Sequence, residues 1–508
     1  MSNFDLVVKN GTIITMDNEL SKKRWVAVKD GKIAALGDRD DFSGNALETV
    51  DLNGRALLPG FIDTHCHTSV TGIAQKGVNL TGINTVSGIL DAVHAFCSKD
   101  PSDKIVCGTN MLPPDNIEEK RLPNRYELDE VSCGHPVMLV LWTGHGGLLN
   151  SKAIEKAELT PEMKEVEKDG IFNEDKMAMH IMGNIFNLIT DDDFIDIFTS
   201  MGNQCASQGI TTVHSLDGMM VKDDRDVDIM LRVLDKLPVD FVTYAQTFDW
   251  QKIQKYGLKQ VGGCLSVDGS PPQLTAAYEE PYPAAPFTRG FLNFTDKELY
   301  EFVKSVSQAG MQAAFHAIGD RAVDQIIYIY QQVHREIGIG NLRHRIEHFS
   351  LPTDRHIEMA VEMNVVATVQ PAIGNMLDGP AGNAFENFVS KEKAKNHENF
   401  SRLIKGGVKV AGGSDSPVTP LSALFGINAA VNAHNPERRV SLDDALKIYT
   451  ANAAWAAHQE DVKGSLETGK QADMVVLSKD PYDSGVCADL MAVTVEETYR
   501  KGKRIWKK

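Results

Sequence analysis

Cysteine is scarce in this chain: there are seven in 508 residues, and none stands in a C-x-x-C pair. That excludes a disulfide-stapled scaffold and a zinc finger built on paired cysteines. An excess of positive charge is missing as well. The 52 Lys and Arg face 69 Asp and Glu, a net charge of −17, which repels phosphate backbones and anionic leaflets. Nucleic acid and membrane surfaces are therefore not expected partners. No apolar run reaches membrane-spanning length, and the opening MSNFDLVVKNGTIITMD lacks the basic-then-apolar layout of a signal peptide. There is no internal repeat or low-complexity tract. With 42% hydrophobic and 24% charged residues, the composition is that of a soluble protein of two or three domains. A cytoplasmic location is expected.

Short β-rich runs and turn signals fill the first 58 residues. Asp5 to Lys9 runs into Asn10-Gly11, then Thr12 to Met16, and Trp25 to Val28 precedes Asp30-Gly31; both dipeptides are hairpin signals. The last 50 residues look alike, with Met474 to Leu477, Ala492 to Val495 and a final run around Gly502. Neither end has enough strands for a domain alone, so residues 1–58 and 459–508 are expected to form one small composite β-sandwich. Between them, residues 59–458 alternate apolar strand candidates (60–63, 209–214, 241–245, 261–267, 311–316, 345–349, 365–369 and 408–411) with helical stretches. Eight such units predict an α/β fold, a (β/α)8 barrel with a parallel sheet inside and helices outside. Residues 68–205, which contain another strand-like run at 137–142, read as an insertion. Two loops stand out: 271–289, with five prolines, and the polar stretch 379–399.

Candidate site residues fall where these strands end, the end of a barrel that carries active sites. In Phe61-Ile62-Asp63-Thr64-His65-Cys66-His67, side chains alternate, so His65 and His67 point the same way and can present two imidazoles to one metal ion. An isolated H-x-H equally fits two ordinary polar histidines. His316 and His348 each stand where an apolar strand stops, and neutral imidazole is a common ligand of zinc-like metals; a buried, hydrogen-bonded histidine fits each position too. His344 shares a strand face with His348 but lies about 13 Å back along it. In Gly412-Gly413-Ser414-Asp415-Ser416-Pro417 the small residues let the Asp415 carboxylate approach a metal, where it can also take a proton from water. A helix cap is the plainer alternative.

Taken in order, LPGFIDTHCH, HAIGD, HRIEH, GGSDSP, TANAAW and GKQADMVVLSKDP resemble the amidohydrolase superfamily. The closest resemblance is to its family-3 branch, with N-substituted formamide deformylase-like hydrolases; D-aminoacylases are more distant. The resemblance covers nearly the whole chain. It implies a distorted (β/α)8 TIM barrel plus a composite β-sandwich from both termini. It also implies that His65, His67, His316 and His348 are metal ligands and that Asp415 is both ligand and general base. The sequence departs from the pattern at the fourth strand. Many relatives place a carboxylated, metal-bridging lysine four residues before an Asp-Gly, whereas Cys264 holds that distance from Asp268-Gly269 here. Lys259 lies about 16 Å away along an extended strand, toward the wrong end. D-aminoacylase-like proteins use a cysteine ligand, so Cys264 is a candidate metal ligand; a small buried filler is the alternative.

Further candidates are His145, similar to a family pocket histidine, and His214, Tyr278 and Tyr282 as substrate contacts; surface turn or core packing fits each as well. Asp268, Asp320 and Glu347 are candidates for orienting ligand imidazoles. The reaction the resemblance implies is hydrolysis of a C–N amide-type bond in a small N-acyl or cyclic amide compound, through metal-activated water. The cofactor is a divalent metal, zinc foremost, with one or two ions per chain. The runner-up is a mononuclear-metal heterocycle deaminase, although Ala317 to Asp320 lacks the glutamate that many such deaminases carry there. A metal-free scaffold is the third reading. A small molecule is the expected partner, and a homo-oligomer is a family-level expectation.

Overall fold

The computed structural model describes residues 4–99, 103–142, 144, 146–172, 175–379 and 382–508. They form two compact units: Met1–Cys66 with Gly202–Leu216 and Leu237–Lys508, and His67–Met201 with Asp217–Lys236.

The first unit is an α/β fold. Its central strands are β1 (Phe61–Cys66), β2 (Ile210–Ser215), β3 (Asp240–Thr243), β4 (Gln260–Ser266), β5 (Gln312–Ala317), β6 (Arg345–His348), β7 (Val366–Val369) and β8 (Lys409–Gly412). Every pairing among them is parallel, in two sheets ordered β3-β2-β1 and β4-β5-β6-β7-β8. Isolated parallel bridges join Ala245 to Val261 and Cys66 to Ser416. All six residues of β1, of β2 and of β5 are buried, as expected of parallel strands covered on both faces. Helices follow strands where the sequence supplies caps. Thr295 and Glu298 form a reciprocal capping box at the start of helix Asp296–Gln308, whose Leu299, Phe302, Val303 and Val306 turn inward.

Both termini share one eight-stranded sheet. Strands Phe4–Ile14, Lys22–Lys29, Lys32–Gly37, Ala46–Asp51 and Ala56–Pro59 join Met474–Leu477, Val495–Arg500 and Lys503–Lys507. The seam is the antiparallel pairing of Ala56–Pro59 with Met474–Leu477, and the core beneath includes Val8, Val26, Leu57, Val476 and Tyr499. Asp30-Gly31 is the expected hairpin turn, with both residues at positive φ. Asn10-Gly11 is not. Strand Phe4–Ile14 continues through it, and the three residues between Lys9 and Ile13 oppose the single Arg24 between Trp25 and Lys23. The dipeptide makes a bulge instead of a turn, with Leu52 N and Gly54 N donating back to Lys9 O and Asn10 O and so keeping it within the strand.

A buried lysine fastens this sheet to the strands next to it. Lys463 Nζ reaches Thr212 Oγ1 at 2.8 Å and Asp473 Oδ2 at 3.1 Å, and it pairs with Asp240. Lys463→Met should lower the unfolding free energy by about 3 kcal/mol, since it strands buried carboxylate charge. Urea denaturation measures this, and a change indistinguishable from zero would refute it.

The second unit carries a five-stranded sheet of Val78–Asn79, Val106–Met111, Val137–Leu141, Gly147–Leu149 and Ile171–Phe172. Its core is built from Ile89, Val93, Leu128, Leu139 and Leu148, among others. The strand-like run expected at 137–142 is the third of these strands. Among the described residues no helix is long and apolar enough to cross a membrane.

Candidate metal centre

The ends of β1 and β8 are drawn together by one buried carboxylate. Asp63 Oδ1 accepts from His65 N at 3.1 Å and from Ser414 N at 3.0 Å, and its burial pushes its pKa up to about 6. The approach is so close that a Cβ on Gly413 would lie 2.5 Å from the His65 backbone nitrogen; only glycine fits. Beyond it, Asp415 N donates to His65 O at 2.7 Å. Asp415 has φ of 54°, a left-handed conformation that Asp tolerates better than most residues. Its Oδ1 lies 3.3 Å from His65 Nε2. The other imidazole nitrogen, Nδ1, lies 2.7 Å from Glu347 Oε2, with both side chains fully buried.

A two-residue bulge delivers Cys264. Between Val261 and Leu265, β4 spends three residues where β5 spends one, Ala314, between Ala313 and Phe315. Gly262 and Gly263 absorb the excess at positive φ, and a Cβ on either would meet a carbonyl oxygen of a neighbouring strand, Ala314 O at 2.3 Å or Tyr244 O at 2.6 Å. Cys264 Sγ then lies 3.5 Å from His316 Nδ1. His348 ends β6 with φ of 67°. Its ring centre is 4.5 Å from that of His316 and 5.1 Å from that of His65. One ligand atom each from His65, Cys264 and His348 lies within 4.8 Å of the others.

This donor set suits a divalent metal. Burial would raise the Cys264 thiol, but the His316 charge and hydrogen bonds from His316, His348 and His65 hold it well below the ordinary thiol value. Burial alone would lower His316; the Cys264 charge and hydrogen bond raise it to about 9. A thiolate among imidazoles is a zinc-type site. Lys259 precedes β4 and is exposed, so of the two only Cys264 lies among the site histidines.

The remaining candidates are distributed as follows. His67 begins the second unit as the N-cap of helix Thr68–Lys76, and Thr71 N donates to its carbonyl. Asp268 lies 3.6 Å from His316 Nε2, but its oxygens accept from Ala277, Ile318 and Gly319 N. Asp320 is not brought to an imidazole; it accepts from Glu279 N and Lys393 Nζ. His344 points away, between Ser307 Oγ and Ala313 N, and burial lowers it to about 3. His214 is fully buried and takes a hydrogen bond from Arg345 Nη1 at 3.0 Å, so its place is inside the strands rather than on an open pocket. Tyr278 and Tyr282 were expected at the substrate. Both rings are instead buried in a cluster with Phe385 and Val389 of the 379–399 loop, and their hydroxyls are taken by His397 Nε2 and Ala276 O. His145 lies outside the described residues.

Sequence reasoning missed Asp63 and Arg345. Both carry the same signal, a charged residue two positions before a site residue on one strand (His65 and Glu347), which places the pair on one face.

A family model described as amidohydrolase family matches residues 48–506. The protein LONG AFTER FAR-RED 3 of Arabidopsis thaliana is 29% identical, over 99% of this chain and 91% of its own length. An N-substituted formamide deformylase of Arthrobacter pascens is 25% identical, over 98% of this chain and 97% of its own. Among solved structures, an uncharacterized metal-dependent hydrolase from Pyrococcus horikoshii OT3 is similar with a TM-score of 0.81. It is 26% identical, covering 94% of this chain and 98% of that one.

Proposed function

Since the chain belongs to the amidohydrolase family and is thereby a metal-dependent hydrolase, we propose that it cleaves a C–N amide-type bond in a small N-acyl or cyclic amide compound. The observation that carries this reading is the compact donor set of His65, Cys264 and His348, with the Asp415 carboxylate 3.3 Å from the His65 ring. His67 and His316 complete the ligands by resemblance. The eight parallel strands are read as a closed (β/α)8 barrel over residues 59–458 with an insertion at 68–205, and residues 1–58 and 459–508 as one composite sandwich.

A divalent cation, zinc foremost, supplies Lewis acidity that polarises the scissile carbonyl and acidifies water. Asp415 is the general base. Its carboxylate takes the proton of the attacking water and returns it to the departing nitrogen. Glu347 keeps the His65 Nδ1 proton engaged, leaving Nε2 as the ligating atom. The deformylase relative supports an N-acyl substrate.

The test is a panel of N-formyl and N-acetyl amines and cyclic amides, offered to the zinc-reconstituted protein with amine or ring-opened product measured directly. Amine release with metal-dependent turnover is expected. Ammonia release from heterocycles alone would replace this reading with the deaminase one. A protein that binds no metal even after reconstitution would sink both.

A further inference from the structure

One layer beneath the donor atoms lies a fully buried ion pair whose arginine the proposed chemistry does not use. Arg345 and Glu347 are two residues apart on β6, so their side chains leave the same face. Arg345 Nε donates to Glu347 Oε1 at 2.7 Å and Nη2 to Oε2 at 2.9 Å. That second oxygen is the one facing His65 Nδ1. Arg345 Nη2 also donates to Thr64 O at 2.7 Å, the carbonyl of the residue before His65. The guanidinium thus grips His65 from two sides, through the carboxylate under its ring and through the peptide that carries it.

The remaining contacts fix the guanidinium itself. Nη1 donates to His214 Nδ1 at 3.0 Å, and the plane lies over the Tyr244 ring with its carbon 4.1 Å from the centroid. Tyr244 in turn donates to Gln312 Oε1 at 2.7 Å. A buried pair of this kind adds little to stability over a well-packed apolar pair, so stability does not explain it. What a bidentate fork does supply is orientation: it fixes the carboxylate plane, which a point charge such as lysine cannot do.

We propose that Arg345 is a positioning residue of the metal centre, holding the His65 imidazole with Nδ1 as donor and Nε2 directed at the ion. This rests on the reading of His65 as a ligand. The probe is zinc(II) alone, with its affinity for the full chain measured by chelator competition. The variants are Arg345→Met, Glu347→Gln, the double variant and His65→Ala. Arg345→Met and Glu347→Gln should each weaken binding by about 10- to 100-fold. If Arg345 acts through Glu347, the double variant should lose little more than Glu347→Gln alone, which a general structural weakening would not produce. Wild-type affinity in Arg345→Met, or a double loss equal to the product of the single losses, would overturn the inference. Tight binding by His65→Ala would instead refute His65 as a ligand. Should Arg345→Met fail to fold by circular dichroism, Arg345→Lys decides: weakened zinc binding supports the inference, and wild-type affinity overturns it.

Discussion

Asp415→Asn should leave metal content near the wild-type level and cut turnover by about 10²- to 10⁴-fold, the usual share of a general base. The substitution preserves what holds the segment in place. Asp415 meets β1 through its backbone, with its amide on His65 O at 2.7 Å and its own carbonyl taking Val418 N at 2.8 Å. Neither contact involves the carboxylate. An amide oxygen keeps the side chain's shape but has negligible basicity, so proton transfer fails while the site stays assembled. Elemental analysis and single-substrate kinetics on the same preparation check both halves. Near-normal turnover would remove Asp415 from the proton-transfer role, and loss of metal would make it chiefly a ligand.

The second large effect is expected at Cys264. In protein purified without chelators, Cys264→Ala should lower bound metal by about one equivalent, since it removes the one thiolate from the donor set. The same change should alter the pH dependence of binding. In the wild type His316 is raised to about 9 by the Cys264 charge and hydrogen bond, against the lowering effect of burial. A raised value means that His316 holds its proton between its ordinary value, near 6.5, and about 9. An ion that takes its imidazole must displace that proton. Zinc affinity of the wild type should therefore climb with pH across this window. Without the thiolate the largest influence raising His316 is gone, so it should deprotonate at lower pH and the climb should move down the scale. Equal metal content in both proteins, with superimposable pH profiles, would make Cys264 a buried filler.

How far the sequence could be read follows from the range of each interaction. The strand-end histidines, the Asp415 turn and the Asp30-Gly31 hairpin were legible because apolar periodicity and turn chemistry act over a few residues. The capping box at Thr295 and Glu298 is legible for the same reason. Asn10-Gly11 misled because a bulge and a hairpin use the same dipeptide. What separates them is the distant segment around Leu52 and Gly54 that bonds back to the strand. Tyr278 and Tyr282 sat in a loop whose length and prolines suggested a substrate wall. Their hydroxyls are instead spent on His397, 119 positions away, and on Ala276.

By itself, then, the sequence determined the α/β class and the order of the chemistry-bearing strand ends. Each of these is written in consecutive residues. The tertiary structure alone decided which buried charges face one another. The Glu347 carboxylate meets His65 across 282 positions, and Arg345 joins them only because β6 and β1 project side chains into one interior. The double glycine before Cys264 becomes a bulge only against the register of β5. Such partners are set by strand order and register, which no local pattern encodes, and a buried charge must find them because leaving it unpaired is too costly.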